Sequence, residues 1–219
     1  IKVAILVGDY LYAKAFDLIS QLEHHSVTSA LAKATDCIVA GELEQWSLAE
    51  KAEINESQYL AMISNKTACL FAVSMYVSGL ITTQSESCCL ALQSFGQAFG
   101  MVYQLTDDYL DYFSTSMNAG KDVGQDYLDH KWTLPVILAY QNLPKSARRR
   151  FQQLWNNPDK KHWSEVQALL REHAIDSRMQ EYIQNHVQEA ENALESCSIQ
   201  EKEKKMLIDL LVGLASRVE

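Results

Sequence analysis

The chain has 219 residues and a formal net charge of −9, with only three prolines and eight glycines. A surface that follows a nucleic-acid backbone needs an excess of basic residues, so this acidic balance argues against nucleic acid as a partner. No apolar run approaches the ~18 uninterrupted residues of a membrane-spanning helix. Few helix breakers favour helices over strands, and we predict one all-α domain over residues 1–219.

The first segment, IKVAILVGDYLYAKAF from Ile1 to Phe16, has no initiator Met and no helix-start signal. It reads like the middle of a buried helix. A signal peptide would need a basic flank and a small-residue cleavage site, and neither is present here. We therefore expect this chain to begin inside a longer polypeptide.

The next helical segment turns polar on its inward face. From Val27 the apolar positions recur at helical spacing, but the same face continues into Gly41, Glu42 and Gln45. An inward face that becomes polar at one end is either a structural accident or the wall of a polar cavity.

A second apolar stripe runs from Tyr59 to Val77, after a predicted capping pair at Asn55 and Gln58. Lys66 stands in the middle of this stripe, where a core residue belongs, with Thr67 beside it. A lysine in such a place either reaches the surface with its ammonium group or points into a polar cavity.

The five cysteines form no Cys-x-x-Cys pair, and most of them stand in apolar stretches. Such usage is typical of buried, reduced thiols, so we expect reduced cysteines and a cytoplasmic protein.

The segment SFGQAFGMVYQLTDDYLDYF predicts a long and mostly apolar helix whose polar residues share one face. On a helical wheel at ~100° per residue, a single arc holds Gly100, Gln104, Asp107, Asp108 and Asp111. Grouped carboxylates on an otherwise buried helix need a positive partner, because burying like charges together is costly. The partner is a basic side chain or a divalent metal, and magnesium prefers such hard oxygen ligands. A solvated acidic edge remains the alternative.

The following loop, AGKDVGQDYLDHKWTLP from Ala119 to Pro135, supplies Lys121 and Lys131. Alone it reads as a solvated connection. Beside a carboxylate cluster, lysines on a glycine-containing loop suit a diphosphate, whose charge they would neutralise. The remaining segments have helical period, and no stretch alternates as a strand does. The predicted fold is therefore an all-α, multi-helix bundle around a central cavity.

Together these segments closely resemble the trans-isoprenyl diphosphate synthase (polyprenyl synthetase) family. Five elements match in the family's order, namely VGDYLYAKAF, GELEQ, KTACLF, GMVYQLTDDYLDY and GKDVGQDYLDHKWTLP. Tyr103 stands where Phe is common, and His130 where Gly is usual. The resemblance covers residues 7–140, corresponds to the C-terminal two-thirds of the family's chain, and implies the isoprenoid-synthase type of bundle.

The resemblance also implies a role for each matched residue. Magnesium would be the cofactor, held by Asp107, Asp108 and Asp111. The catalytic residues facing an allylic carbocation would be Lys66 (through its carbonyl), Thr67 and Gln104. The residues that bind the allylic diphosphate would be Lys66, Lys121, Lys131 and Gln45. The implied reaction joins an allylic diphosphate to isopentenyl diphosphate, in a protein that is commonly a homodimer.

The family's first aspartate-rich motif and its basic patch for isopentenyl diphosphate do not occur in this sequence. We therefore expect a prenyltransferase that is inactive as this chain alone; the alternative is a non-catalytic or regulatory subunit of a heteromeric synthase. The TLP sequence starting at Thr133 resembles long-chain synthases. A di-iron bundle is disfavoured because no Glu-x-x-His pair is present. Terpene cyclases usually lack the Lys-Thr-Ala and Gly-Lys elements.

Overall fold

The structure, a computed structural model, describes residues 2–22, 24–49, 51, 53–82, 84–114 and 123–218. Across these residues the regular elements are all helices, which confirms the predicted all-α class. The α-helices are α1 (Lys2–Ser20), α2 (His25–Ala49), α3 (Glu56–Ile63), α4 (Cys69–Ile81), α5 (Glu86–Phe113), α6 (Gln125–Leu128), α7 (Leu134–Asn142), α8 (Lys145–Trp155), α9 (Trp163–Glu172), α10 (Ile175–Glu195) and α11 (Glu201–Ala215).

Local signals set the starts of the helices that matter most for the site. The predicted capping pair before α3 is confirmed: the Asn55 side chain accepts from the Gln58 N–H at 2.9 Å, and the Gln58 side chain accepts from the Asn55 N–H at 3.0 Å. Ser85 caps α5 by accepting from the Cys88 N–H at 3.3 Å. These caps satisfy N–H groups that the first helical turn leaves without partners.

Helix α5 is the central element of the bundle. Its 28 residues extend about 42 Å at the usual helical rise. It packs along α4 on one side and along α10 on another. Its core positions include Val102 and Leu105, which are fully buried. The polar face of α5 is therefore carried by a helix that is fixed on several sides.

Helix α3 continues into α4 through a π-helical turn, Ser64–Ala68, where the apolar stripe predicts ordinary α-helix. The N–H of Cys69 donates to the carbonyl of Ser64, five residues back, as in a π-helix. Such turns inside α-helices are frequent at functional sites. Both Lys66 and Thr67 lie within this turn.

Two glycines allow neighbouring helices to approach the π turn closely. A Cβ atom on Gly41 of α2 would lie 2.6 Å from the backbone nitrogen of Lys66. A Cβ atom on Gly100 of α5 would lie 2.5 Å from the Cα of Ala68. Because a side chain at either position would overlap with backbone, α2 and α5 hold the π turn between them only with glycine at both places.

Helix α1 exposes its apolar side chains. None of its residues is buried, although it carries large hydrophobic residues along its length. The most exposed include Val3, Leu6, Tyr10 and Leu11. Exposed apolar residues in such number are a feature of interaction surfaces.

One helix among the described residues, Glu56–Ile81, is long and apolar enough to cross a membrane by length and composition alone. It comprises α3, the π turn and α4. The core helix of a soluble protein passes the same test. This helix packs against α2 and α5, and the Lys66 ammonium in its middle is paired with Glu42. Both contacts are typical of a helix within a bundle.

The structure corrects the expectation that all five thiols are reduced, because Cys88 and Cys197 form a disulfide. These residues are 1% and 2% exposed and lie 109 residues apart, so the bond joins the start of α5 to the segment after α10. The sequence does not reveal this pair, since only the packing of α5 against α10 brings the two residues together. Cys37, Cys69 and Cys89 are free thiols.

We expect reduction of this disulfide to lower the thermal stability. Closing a loop of about 100 residues restricts the unfolded chain and typically contributes about 2–4 kcal/mol, which corresponds to a melting-temperature shift on the order of 5–10 °C. The measurement is thermal unfolding with and without dithiothreitol. A Cys89→Ser variant should keep the response to reductant and a Cys88→Ser variant should lose it. If the melting temperature of the wild type were the same with and without reductant, this would contradict the disulfide between Cys88 and Cys197.

Candidate functional site

The candidate site lies where the π turn faces the polar residues of α2 and α5. On the α2 side, the Lys66 ammonium lies 2.8 Å from the Glu42 carboxylate and donates to the side-chain carbonyl of Gln45. The Lys66 side chain is 34% exposed. The structure thus brings the predicted residues Lys66 and Gln45 together, with an ammonium group that is oriented by α2 and still reaches solvent.

On the α5 side, a chain of hydrogen bonds connects three elements. The Thr67 hydroxyl donates to the Gln104 side-chain carbonyl at 2.9 Å, and the Gln104 amide donates to Asp108 Oδ1 at 3.0 Å. The other carboxylate oxygen, Asp108 Oδ2, accepts from the hydroxyl of Tyr59 on α3. The predicted pair of Thr67 and Gln104 is therefore in direct contact and continues into the carboxylate stripe.

Asp108 is a buried carboxylate, only 1% exposed. Burial raises its pKa to about 7; the hydrogen bonds from Tyr59 and Gln104 oppose this shift, whereas the negative charges of Asp126 and Asp107 add to it. Burial likewise holds the pKa of Tyr59 well above its ordinary value, so this hydroxyl remains protonated. Burial therefore disfavours the ionised form of Asp108, and the neighbouring acidic residues add to this effect.

The other two aspartates of the stripe have different surroundings. Asp107 is half-buried. Asp111 is 4% exposed, and its carboxylate accepts the N–H of Gln125 at 3.2 Å and of Asp126 at 2.9 Å, at the first turn of α6. The wheel placed all three aspartates on one face, and the structure shows that Asp111 uses that position to hold the first turn of α6. A metal role for Asp111 stays a prediction.

The lysine loop reaches the site through Asp126. Lys131 lies 3.1 Å from both Asp126 and Asp129. The charge of Asp126 raises the pKa values of Tyr59 and Asp108, after the larger effect of burial. The other predicted lysine, Lys121, lies outside the described residues.

Sequence reasoning missed two participants, Tyr59 and Asp126. Tyr59 stands on an apolar stripe, where an aromatic residue reads as core, and its partner is 49 residues away. Asp126 stands in a charged segment that reads as a loop in the sequence, and its proximity to Asp108 depends on how Asp111 holds the first turn of α6. The sequence does contain one signal for Asp126, because this acidic residue stands five positions before Lys131.

An aromatic cluster lies beside the polar residues, after Thr67 along α4 and before Asp107 along α5. The ring of Phe71 lies 5.4 Å from that of Phe99 and 5.5 Å from that of Tyr103. Tyr103 is 45% exposed, and Leu70 nearby in α4 is 48% exposed. At helical spacing Phe71 follows Thr67 and Tyr103 precedes Asp107, so this apolar surface continues from the polar site.

A separate cavity of about 790 Å³ lies between α2, α4 and α5, lined in part by Cys37, Cys69 and Tyr76. None of the predicted site residues lines it. These α4 residues lie on a different face of the helix from Phe71. The chemistry that Lys66, Thr67 and the aspartates can perform therefore belongs to the open polar surface and not to this cavity.

The donor set fits magnesium. Among the described residues, no three His, Cys, Asp or Glu side chains converge into a metal-binding group. Magnesium does not need such a group, because it usually binds one or two carboxylates together with water and substrate phosphate. Asp107 and Asp108 supply carboxylate oxygens; burial chiefly raises the pKa of Asp108, and a bound cation would favour its ionised form.

Comparisons with known proteins agree with this arrangement. A family model described as Polyprenyl synthetase matches residues 1–173. The octaprenyl diphosphate synthase of Haemophilus influenzae is 32% identical over 212 residues, covering 94% of this chain and 63% of that protein. The chain thus spans less than two thirds of the length of this curated relative.

Two solved structures have closely similar folds. The decaprenyl diphosphate synthase from Rhodobacter capsulatus has a TM-score of 0.89 and 31% identity, covering 100% of this chain and 67% of that one. The geranylgeranyl pyrophosphate synthase from Corynebacterium glutamicum, complexed with calcium and isoprenyl diphosphate, has a TM-score of 0.87 and 25% identity, covering 99% and 67%. Both likenesses extend over nearly all of this chain.

Proposed function

The chain belongs to the polyprenyl synthetase family, and from this we propose that it forms one wall of the active site of a magnesium-dependent prenyltransferase. The reaction would join isopentenyl diphosphate to an allylic diphosphate and release inorganic diphosphate. The observation that carries this proposal is the hydrogen-bonded set of Thr67, Gln104 and Asp108, which lies next to Lys66 in the π turn and beside an exposed aromatic surface.

Each residue has a function in this reaction. Lys66, oriented by Glu42 and Gln45, would bind the allylic diphosphate and stabilise charge as its C–O bond breaks. Lys131 would add positive charge from the loop after α5, together with Lys121. Preorganised charges of this kind need no reorganisation when the leaving group departs.

Thr67 and Gln104 would face the allylic carbocation with oxygen atoms, together with the backbone carbonyl of Lys66. The double bond of isopentenyl diphosphate attacks this cation, a new C–C bond forms, and a proton is then lost. Apolar side chains beside the site, Phe71, Phe99 and Tyr103, would exclude water from the cation and receive the prenyl tail.

Asp107 and Asp108 would hold magnesium, with Asp111 in support. When bound, the metal supplies positive charge to the diphosphate oxygens. The structural relative from Corynebacterium glutamicum, which is complexed with calcium and isoprenyl diphosphate, supports a divalent cation at this kind of site.

We propose further that the protein is a cytoplasmic homodimer that makes a long prenyl chain. The exposed apolar face of α1 supports a protein contact, since such a face is unfavourable in water. Two long-chain relatives, an octaprenyl and a decaprenyl diphosphate synthase, support a long product.

The test supplies the full-length protein with farnesyl diphosphate, isopentenyl diphosphate and magnesium, and measures product length by chromatography. We expect elongation that requires magnesium and stops with chelator, from a protein that sediments as a dimer. Diphosphate binding without any elongation would reject the enzyme and favour the alternative of a non-catalytic subunit in a heteromeric synthase. Sedimentation as a monomer would reject the dimer alone.

A further inference from the structure

A buried tyrosine, Tyr59, contacts the site although it cannot reach a substrate. It lies on α3, is 2% exposed, and donates its hydroxyl hydrogen to Asp108 Oδ2. The opposite oxygen of the same carboxylate, Oδ1, accepts from the Gln104 amide at 3.0 Å. Tyr59 and Gln104 therefore each donate to a different oxygen of the Asp108 carboxyl group.

These contacts determine the orientation of the Gln104 side-chain amide, that is, whether its NH₂ group or its carbonyl group faces Asp108. An amide group has a donor end and an acceptor end, and the neighbouring groups decide its orientation. In the structure Asp108 accepts from the NH₂ end of Gln104, and this leaves the carbonyl end to accept the Thr67 hydroxyl at 2.9 Å.

The direction of donation continues to the last member of the chain. Thr67 has one hydroxyl hydrogen, and it is used toward Gln104. The oxygen lone pairs of Thr67 and Gln104 that remain are acceptors, which attract a positive charge. If the Gln104 amide turned over, its NH₂ group would point toward Thr67 and would present partial positive charge instead.

We propose that Tyr59 is a positioning residue for prenyl transfer: by holding Asp108, it keeps the Gln104 amide turned so that Thr67 and Gln104 offer acceptor oxygens to the cation. This inference rests on the proposed function for the identity of the cation. The orientation of the amide is a property of the protein itself and can be tested without turnover.

The matched control is Tyr127. It is also fully buried, and its hydroxyl donates to the backbone carbonyl of Leu154 at 2.9 Å. Tyr59→Phe and Tyr127→Phe therefore each remove one buried hydroxyl and keep the ring. Only the first of these changes releases a side chain of the site.

The experiment compares both variants with the wild type in the full-length protein. For Tyr59→Phe we expect kcat to fall ~10–100-fold with the KM for farnesyl diphosphate within about threefold, as expected when a group that orients others is lost. For Tyr127→Phe we expect kcat within about twofold of wild type. Thermal unfolding of both variants measures the shared cost of losing a buried hydroxyl.

A second readout uses no substrate and no metal. The side-chain NH₂ resonances of Gln104, assigned with a Gln104→Glu variant and glutamine-selective ¹⁵N labelling, should shift and exchange faster in Tyr59→Phe but not in Tyr127→Phe. Unchanged Gln104 resonances and a kcat within about twofold of wild type would overturn the proposal. If the wild type transfers no prenyl group, the proposed function fails, and the resonances still decide the role of Tyr59.

Discussion

Replacing Asp107 with asparagine is expected to lower the magnesium-dependent prenyl transfer of the full-length protein by at least ~100-fold in kcat, or about 2.7 kcal/mol in barrier height. Asparagine keeps the shape of the side chain and removes its negative charge. Asp107 is half-buried, whereas Asp108 is only 1% exposed. Of these two, Asp107 is therefore the better placed to offer oxygen to a metal between protein and diphosphate.

The matched control is Asp209→Asn, which removes the same charge from an exposed position on α11. Activity of this variant should stay within about twofold of wild type, because surface substitutions away from a site have small effects. Both variants should be titrated with magnesium, since loss of a ligand also raises the metal concentration required. An Asp107→Asn enzyme with wild-type kcat at moderate magnesium would show that the metal is held elsewhere.

A Gly100→Ala substitution is expected to destabilise the fold. The added methyl would lie 2.5 Å from the Cα and 2.9 Å from the Cβ of Ala68, so α5 must move away from the π turn. Forcing extra volume into a packed core usually costs about 1–3 kcal/mol, and contact with backbone places this change at the upper end. The measurement is the free energy of unfolding from urea titration.

The same substitution at Gly213 should have the opposite sign. Gly213 lies in α11, and a Cβ atom added there would have no neighbouring atom within 4 Å, so nothing opposes the methyl group. Alanine in a helix interior is favoured over glycine by roughly 0.5–1 kcal/mol. If Gly100→Ala left the free energy of unfolding unchanged, or raised it as Gly213→Ala is expected to do, the contact between α5 and the π turn would be looser than the structure indicates.

Much of the fold and part of the site follow from local pattern. The carboxylates of α5 and the misplaced Lys66 are visible because helical period assigns each residue to a face, and a polar residue on an apolar face stands out. The capping pair of Asn55 and Gln58 is equally local, and the structure confirms it. Such features need no knowledge of how distant segments pack.

The features that sequence reasoning missed depend on contacts between distant segments. The partner of Tyr59 is on another helix, and the disulfide joins Cys88 to a residue 109 positions later. The wheel gave Asp111 the correct face, yet its hydrogen bonds to α6 depend on how α6 packs against α5. Helical periodicity predicts the face of the helix on which a side chain lies. The residues that it contacts depend on how the helices pack.

The π-helical turn has an evolutionary consequence. Its hydrogen bond reaches five residues back instead of four, so the helix contains one residue more than an α-helix of the same path would need. Deleting a single codon there would restore regular helix and let α3 and α4 keep their neighbours, while Lys66 and Thr67 would lose their present placement. We therefore expect one deletion to remove the proposed chemistry and leave the fold, and an inactive paralogue shorter by one residue at this turn is the trace that such an event would leave.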